Sequence, residues 1–227
     1  MFSVVGLLPA AVSSFDIKSF VEGGEKFLKY IEKENNFDSI FLSSLAMILL
    51  QKKGINISVI MPYIDNLNSL SFWYKQLWAE SIGKKRMGTT PVNSLGTVDQ
   101  HSQLQLFLDG PKDKFYTIIG RKKIKRQTKL DCRYGNNNKL ETLHEKSLET
   151  LLRAEMEATI ETLESKKLPV RFFEIDVLNE ECVGFLMMYF FVETIFCCHL
   201  VNVNPFDQPA VEGGKILTKK KLKNYEY

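Results

Sequence analysis

Gly54-Ile55-Asn56-Ile57-Ser58-Val59-Ile60-Met61-Pro62 decides how this chain folds. Between the glycine and the proline lies a short run rich in β-branched side chains, which suit a pleated, half-buried backbone. Gly54 closes the helical pattern before it, and Pro62, which cannot donate to a ladder, closes the strand. On both sides the apolar period changes. Phe37 to Lys53 reads as a helix with Asp38 as an early acidic residue. Residues 66 to 82 read as another, with Leu67, Leu70, Trp73, Tyr74 and Leu77 on one side.

The same alternation continues outward. Pro91 to Leu95, Phe115 to Ile119 and Val170 to Ile175 are the further strands expected. Helices fit at 16 to 34 (through Phe20, Phe27, Leu28 and Ile31), 100 to 108, 142 to 166, 178 to 201 and 209 to 223. Strands that alternate with helices predict a layered α/β fold with a mostly parallel sheet flanked by helices. In such folds the active site collects beyond the carboxyl ends of the strands. Glu80 and His101 fall near helix ends beside such loops.

The balance of 44% hydrophobic and 25% charged residues over 227 is that of a globular chain long enough for one sizeable core. A net charge of +3 is too small to imply a nucleic-acid partner. Arg121 to Arg126 is a basic run and Gly135 to Asn138 a turn cluster. With no aromatic interleaving, residues 121–139 read as a solvated loop or insertion rather than an anion or nucleic-acid patch. Cys132, Cys182, Cys197 and Cys198 show neither a C-x-x-C pair nor metal spacing, which predicts reduced thiols, a cytoplasmic location and no bound metal. The apolar stretch Met1 to Ala11 has no basic flank and contains Pro9, unlike a signal peptide. Cys182 to Val203 approaches a membrane span in length. Glu193 and His199 within it favour a buried core helix and no membrane.

Three segments carry chemistry: Gln76-Leu77-Trp78-Ala79-Glu80-Ser81-Ile82-Gly83-Lys84, Leu95-Gly96-Thr97-Val98-Asp99-Gln100-His101-Ser102, and Phe206-Asp207-Gln208-Pro209-Ala210-Val211-Glu212-Gly213-Gly214-Lys215. Taken singly, Glu80 is an ordinary helix-end acid, His101 a surface histidine and Lys215 one of a solvated basic tail with Lys219, Lys220, Lys221 and Lys223. His144 and His199 keep such readings. Taken together, in this order, the three segments resemble those of the glucose-6-phosphate isomerase family. The resemblance runs from Met1 to the tail and matches that family's C-terminal half. It implies a three-layer sugar-isomerase (SIS) type domain. Residues 1–35 would be a helical segment continuing from an N-terminal domain, 36–203 the domain itself, and 204–227 a C-terminal helix carrying Gln208 and Lys215.

The reaction the resemblance implies interconverts glucose 6-phosphate and fructose 6-phosphate through an enediol, without a cofactor. A positioned carboxylate can move the proton between neighbouring carbons, and an imidazole suits opening of the ring. By resemblance Glu80 is that base, His101 the ring opener reaching a neighbouring subunit of a dimer, and Lys215 the cation near the ring oxygen. Gln76 and Gln208 line the substrate. Gln76 and Glu80 stand one helical turn apart, and Gln208 and Lys215 two turns apart, so each pair is expected to share a face. The family's Gly-Gly-Arg motif and its Ser/Thr-rich phosphate loop do not occur in this sequence. The sequence is then expected to be a truncated enzyme, weak or inactive alone, a fragment, or one part of a split enzyme whose partner is a separately encoded N-terminal half. The alternative is a non-catalytic sugar-phosphate-binding or interaction module.

Overall fold

The computed structural model describes residues 1–33, 36–122, 128–131, 138–223 and 225. Its sheet has four parallel strands in the order β2 (Thr90–Asn93), β1 (Ile57–Pro62), β3 (Lys114–Arg121) and β4 (Val170–Ile175). Val59 pairs with Val92 on one side and Tyr116 on the other, and Ile118 pairs with Phe172.

The connections dictate the layers. From β1 the chain moves outward to β2 through α4 (Asn68–Ile82). It then returns past β1 to β3 through α5 (Gly96–Ser102) and α6 (Leu104–Asp109), and continues to β4 through α7 (Leu148–Ser165). Right-handed crossovers in opposite directions place their helices on opposite faces. Alternation along the strands feeds both faces. Ile60, Phe115 and Ile119 pack with Phe20, Tyr74, Trp78 and Phe190. Val59, Met61, Tyr116 and Ile118 pack with Phe107, Met156 and Leu163. The result is the three-layer α/β arrangement expected.

On the α4 face lie α2 (Ile17–Glu32), α3 (Asn36–Lys52) and α8 (Glu180–Leu200). α2 and α8 touch backbone to backbone. A Cβ at Gly23 would stand 2.0 Å from the Glu181 carbonyl oxygen, and one at Gly184 1.9 Å from that of Phe20. Among the described residues α8 is the one helix long and apolar enough to cross a membrane. Its Glu193 is fully buried, and its carboxylate pairs with Arg171 of β4, whose Nη2 donates to Oε2 at 3.0 Å. Tyr189 and Ser43 donate to Glu193 Oε1 at 3.0 and 2.9 Å, and Arg171 Nε donates to Thr117 at 2.9 Å. Burial alone would lower the arginine's pKa, but attraction to Glu193 raises it further. This packing is that of a core helix.

Two helices differ from expectation. A helix α1 (Val4–Val12) runs straight through Pro9. Proline there forfeits a bond to Val5, whose position is 87% exposed, where water can serve the carbonyl. Residues 96–109 form two helices, not one over 100–108, broken at Gln103. Cys182, Cys197 and Cys198 are free thiols. Burial pushes Cys198 up to about 11 and raises the other two. Cys132 and most of the basic run lie outside the described residues.

Candidate active site

Glu80 sits in the last turn of α4, exposed, with Gln76 one turn earlier. The Gln76 amide donates to Glu80 Oε1 at 3.1 Å, so these two share a face as expected. The Gln208 amide donates to Glu80 Oε2 at 2.6 Å from a different part of the chain. Each carboxylate oxygen thus accepts one neutral amide donor. That arrangement fixes the plane of the carboxylate without neutralising it.

Lys84 holds the two segments together. Its ammonium donates to the carbonyls of Glu80 (3.1 Å) and Ser81 (2.6 Å), which α4 leaves unpaired at its end. It donates equally to Asn204 (2.6 Å) and pairs with Asp207 at 3.3 Å. Lys85 reaches the Asn202 carbonyl at 2.7 Å. Beside this clamp is an open recess of about 590 Å³ lined by Lys84, Lys85, Arg86, Asn204, Asp207 and Pro209 among others. Sequence reading missed Lys84, although it closes the quoted Glu80 segment.

Gln208 does not share a helix with Lys215, contrary to the expectation of one helix over 209–223. Its backbone is neither helical nor extended (φ −143°, ψ 60°), a short 3-10 turn covers Pro209–Val211, and α9 (Glu212–Leu222) begins after it. A residue before proline is driven out of helical conformation, which frees Gln208 to face Glu80. Lys215 lies on α9, which is exposed along its whole length, and its ammonium pairs with Glu212 at 2.6 Å. Within this chain Lys215 is not brought to the carboxylate.

His101 is elsewhere. The expectation that Glu80 and His101 both lie beyond the strands' carboxyl ends fails for Glu80. A helix that follows a strand starts at the carboxyl edge and finishes at the amino edge. Trp78, near Glu80, donates from Nε1 to Thr89 at the start of β2 (3.0 Å to Oγ1). His101 stands on α5, just after β2, at the carboxyl edge. There the Tyr63 hydroxyl lies 2.9 Å from Gln100 Oε1 and 2.8 Å from Thr159 Oγ1, and burial pushes its phenol up to about 12. Gln100 Nε2 lies 3.4 Å from His101 Nε2. His101 is exposed. Glu80 and His101 therefore occupy opposite rims of the same sheet.

Asp99 holds α5 in place. Its carboxylate accepts from Leu95 N at 2.6 Å, Ser102 Oγ at 2.8 Å and Gln103 Nε2 at 2.8 Å. The bond back to Leu95 gives the backbone N–H of the residue that caps α5 an acceptor. Burial alone would raise the Asp99 carboxyl, but the bonds from Gln103, Leu95 and Ser102 together lower it below 3.8. A depressed carboxylate stabilises the fold above its unfolded value, and that contribution fades as pH falls through the folded one. Asp99→Ala is expected to cost about 1 kcal/mol near neutral pH. In urea titrations the gap to the parent should close as pH drops below 3.8.

No model of a known protein family matches this chain. A glucose-6-phosphate isomerase from Rubrobacter xylanophilus is 35% identical over 219 residues, 96% of this chain and 51% of that protein. The chain spans about half the length of the curated relatives it matches. The crystal structure of a hypothetical protein from Thermus thermophilus superposes with a TM-score of 0.88 at 34% identity, over 97% of this chain and 54% of that one. A glucose-6-phosphate isomerase structure from Chlamydia trachomatis gives 0.67 at 20% identity, over 90% of this chain and 42% of that one, a likeness of fold. The chain belongs to the glucose-6-phosphate isomerase family, matching about half of its relatives' length with nearly all of its own.

Proposed function

We propose that this chain is the C-terminal, base-bearing part of a glucose-6-phosphate isomerase, working in the cytoplasm as a homodimer completed by a phosphate-binding N-terminal half. The observation that carries the reading is the exposed Glu80 carboxylate, held by one amide from α4 and one from Gln208. A base so oriented can take the proton from C2 of the open sugar and return it to C1, leaving the enediolate between the two transfers. Gln76 and Gln208 would also hold substrate hydroxyls. Lys215, on a helix that no described residue buries, would turn to the ring oxygen when the site is filled.

His101 opens the ring in this reading, from the second protomer. The placement of base and imidazole on opposite rims supports that division, since one chain cannot bring both to one sugar. The phosphate dianion needs donors from the other half, and its binding energy positions the reacting carbons.

A coupled assay of fructose 6-phosphate to glucose 6-phosphate tests the proposal. The chain alone should be feeble. Supplying the N-terminal half of a relative such as the Rubrobacter xylanophilus enzyme should raise the rate by roughly two orders of magnitude or more, the scale of well-placed binding and orientation. Full activity of the isolated chain would remove the need for the second half. No gain from any such half would favour the non-catalytic module.

A further inference from the structure

Tyr63 and Thr159 are both buried beneath α5. A Cβ at Gly96, the first residue of that helix, would stand 2.4 Å from Tyr63 Cγ, so a glycine there is what lets the ring lie against the helix start. Gln100 follows one turn later and meets the Tyr63 hydroxyl, and His101 is the next residue. Burial pushes the phenol up to about 12, so it stays protonated through the neutral range and has one hydrogen to give.

A row of contacts shares the hydroxyl hydrogens. Tyr63 Oη lies 2.9 Å from one end of the Gln100 amide and 2.8 Å from Thr159 Oγ1, and Thr159 Oγ1 lies 2.9 Å from the Glu155 carbonyl. That carbonyl only accepts, so the threonine gives it its hydrogen, the usual back-bond of a helical threonine. Thr159 then accepts from Tyr63, and the phenolic oxygen has no hydrogen left for the amide. The row closes only when the amide turns its nitrogen to Tyr63. With the oxygen there, two hydroxyl hydrogens would serve three contacts, and one buried contact would go unmade. The two ends of an amide are alike in shape, and the hydrogen-bond network is what assigns them. The far end of the Gln100 amide stands 3.4 Å from His101 Nε2. With the nitrogen spent on Tyr63, that end is the carbonyl, so the imidazole supplies the hydrogen.

We propose that Tyr63 and Thr159 are positioning residues for His101: through the Gln100 amide they hold the neutral imidazole with its hydrogen on Nε2 and its lone pair on Nδ1. The contact is long and the ring exposed, so the preference is a matter of roughly fivefold in tautomer population. Its use rests on the reading of His101 as ring opener. There Nδ1 takes the hydrogen of the anomeric hydroxyl, the bond from that carbon to the ring oxygen breaks, and Lys215 protonates the ring oxygen. The imidazolium so formed keeps its other hydrogen on a carbonyl, which favours the charged ring.

Nitrogen-15 NMR of the full chain labelled at histidine, at a pH where the imidazoles are neutral, reads which nitrogen carries the hydrogen. The His101 signals are assigned by their loss in His101→Asn. The parent should carry the hydrogen mainly on Nε2. Tyr63→Phe keeps the buried ring and removes only the hydroxyl, and it should lower the ratio of Nε2–H to Nδ1–H by roughly threefold or more. Thr159→Val removes the acceptor of Tyr63, which then donates to Gln100, reverses the amide and lowers the ratio further. Thr159→Ser keeps a hydroxyl and should keep the parent's ratio, which separates a lost hydrogen bond from disturbed packing. A parent with the hydrogen mainly on Nδ1, or a ratio unmoved in both Tyr63→Phe and Thr159→Val, overturns the inference. The spectra need no turnover: failure of the isomerase reading would appear as an inactive complemented chain with these tautomers intact, and failure of this inference in the spectra alone.

Discussion

Glu80→Gln, assayed in the presence of a complementing N-terminal half, should lose roughly 10²–10⁴ of its isomerase rate, the contribution of a positioned general base. The exchange is nearly isosteric. The glutamine keeps the side chain's length and can still bond to one of its two amide neighbours, so what disappears is the negative charge that takes a proton from carbon. Because the group is exposed at a helix end, its loss should change stability by no more than about 0.5 kcal/mol. A large drop in rate with an unchanged melting temperature is therefore the expected signature. A second readout follows the proton itself: exchange of the C2 hydrogen of the sugar with deuterated water should fall in step with turnover. If exchange and turnover both survive the substitution, the carboxylate is not the base and the isomerase reading loses its mechanism. If exchange survives while turnover falls, the base lies elsewhere and Glu80 acts by positioning the substrate.

Glu193→Ala should be the most damaging substitution for the fold. It removes the acceptor of Arg171, Tyr189 and Ser43 together and leaves a guanidinium that is 15% exposed without its counter-ion. Breaking a buried pair from one side costs about 3–5 kcal/mol, on the order of 10 °C in melting temperature for a chain of this size. The double variant Arg171→Met with Glu193→Leu removes both charges and fills the space with apolar atoms. It should recover most of that loss, because the pair's attraction is offset by the desolvation of both partners. Thermal unfolding of the three proteins checks this. Equal losses in the single and double variants would mean that the network, with Thr117 and Ser43, contributes more than the removal of an orphaned charge.

The elements of this fold were legible because each carries its own period. The strand at Ile57–Pro62, the helix ending at Ile82 and the long helix through Glu193 follow from apolar spacing and from Gly54 and Pro62. Glu193 and His199 in a stretch of membrane length were enough to favour the core, whereas the glutamate's partner Arg171, on β4, carries no local signal of the pairing. Periodicity does not say which groups cross-link distant segments. Lys84, which joins residues 80, 81, 204 and 207, has no local signal beyond its place at the end of a helix. Gln208 was legible as a candidate site residue but not as a non-helical one, although Pro209 states the reason. The rim on which Glu80 lies was also deducible. The connectivity alone sends the last turn of α4 back toward the start of the sheet, and the rule about carboxyl ends applies to loops after strands rather than to the far ends of the helices that follow them.

The separation of Glu80 and His101 by the width of the sheet sets how damage spreads. On the proposed pairing, each protomer lends its imidazole outward and keeps its carboxylate. A copy altered at position 80 silences its own reaction centre, whereas a copy altered at position 101 leaves its own intact and silences its neighbour's. Inheritance of such a defect would be felt by healthy copies as well as by the faulty one.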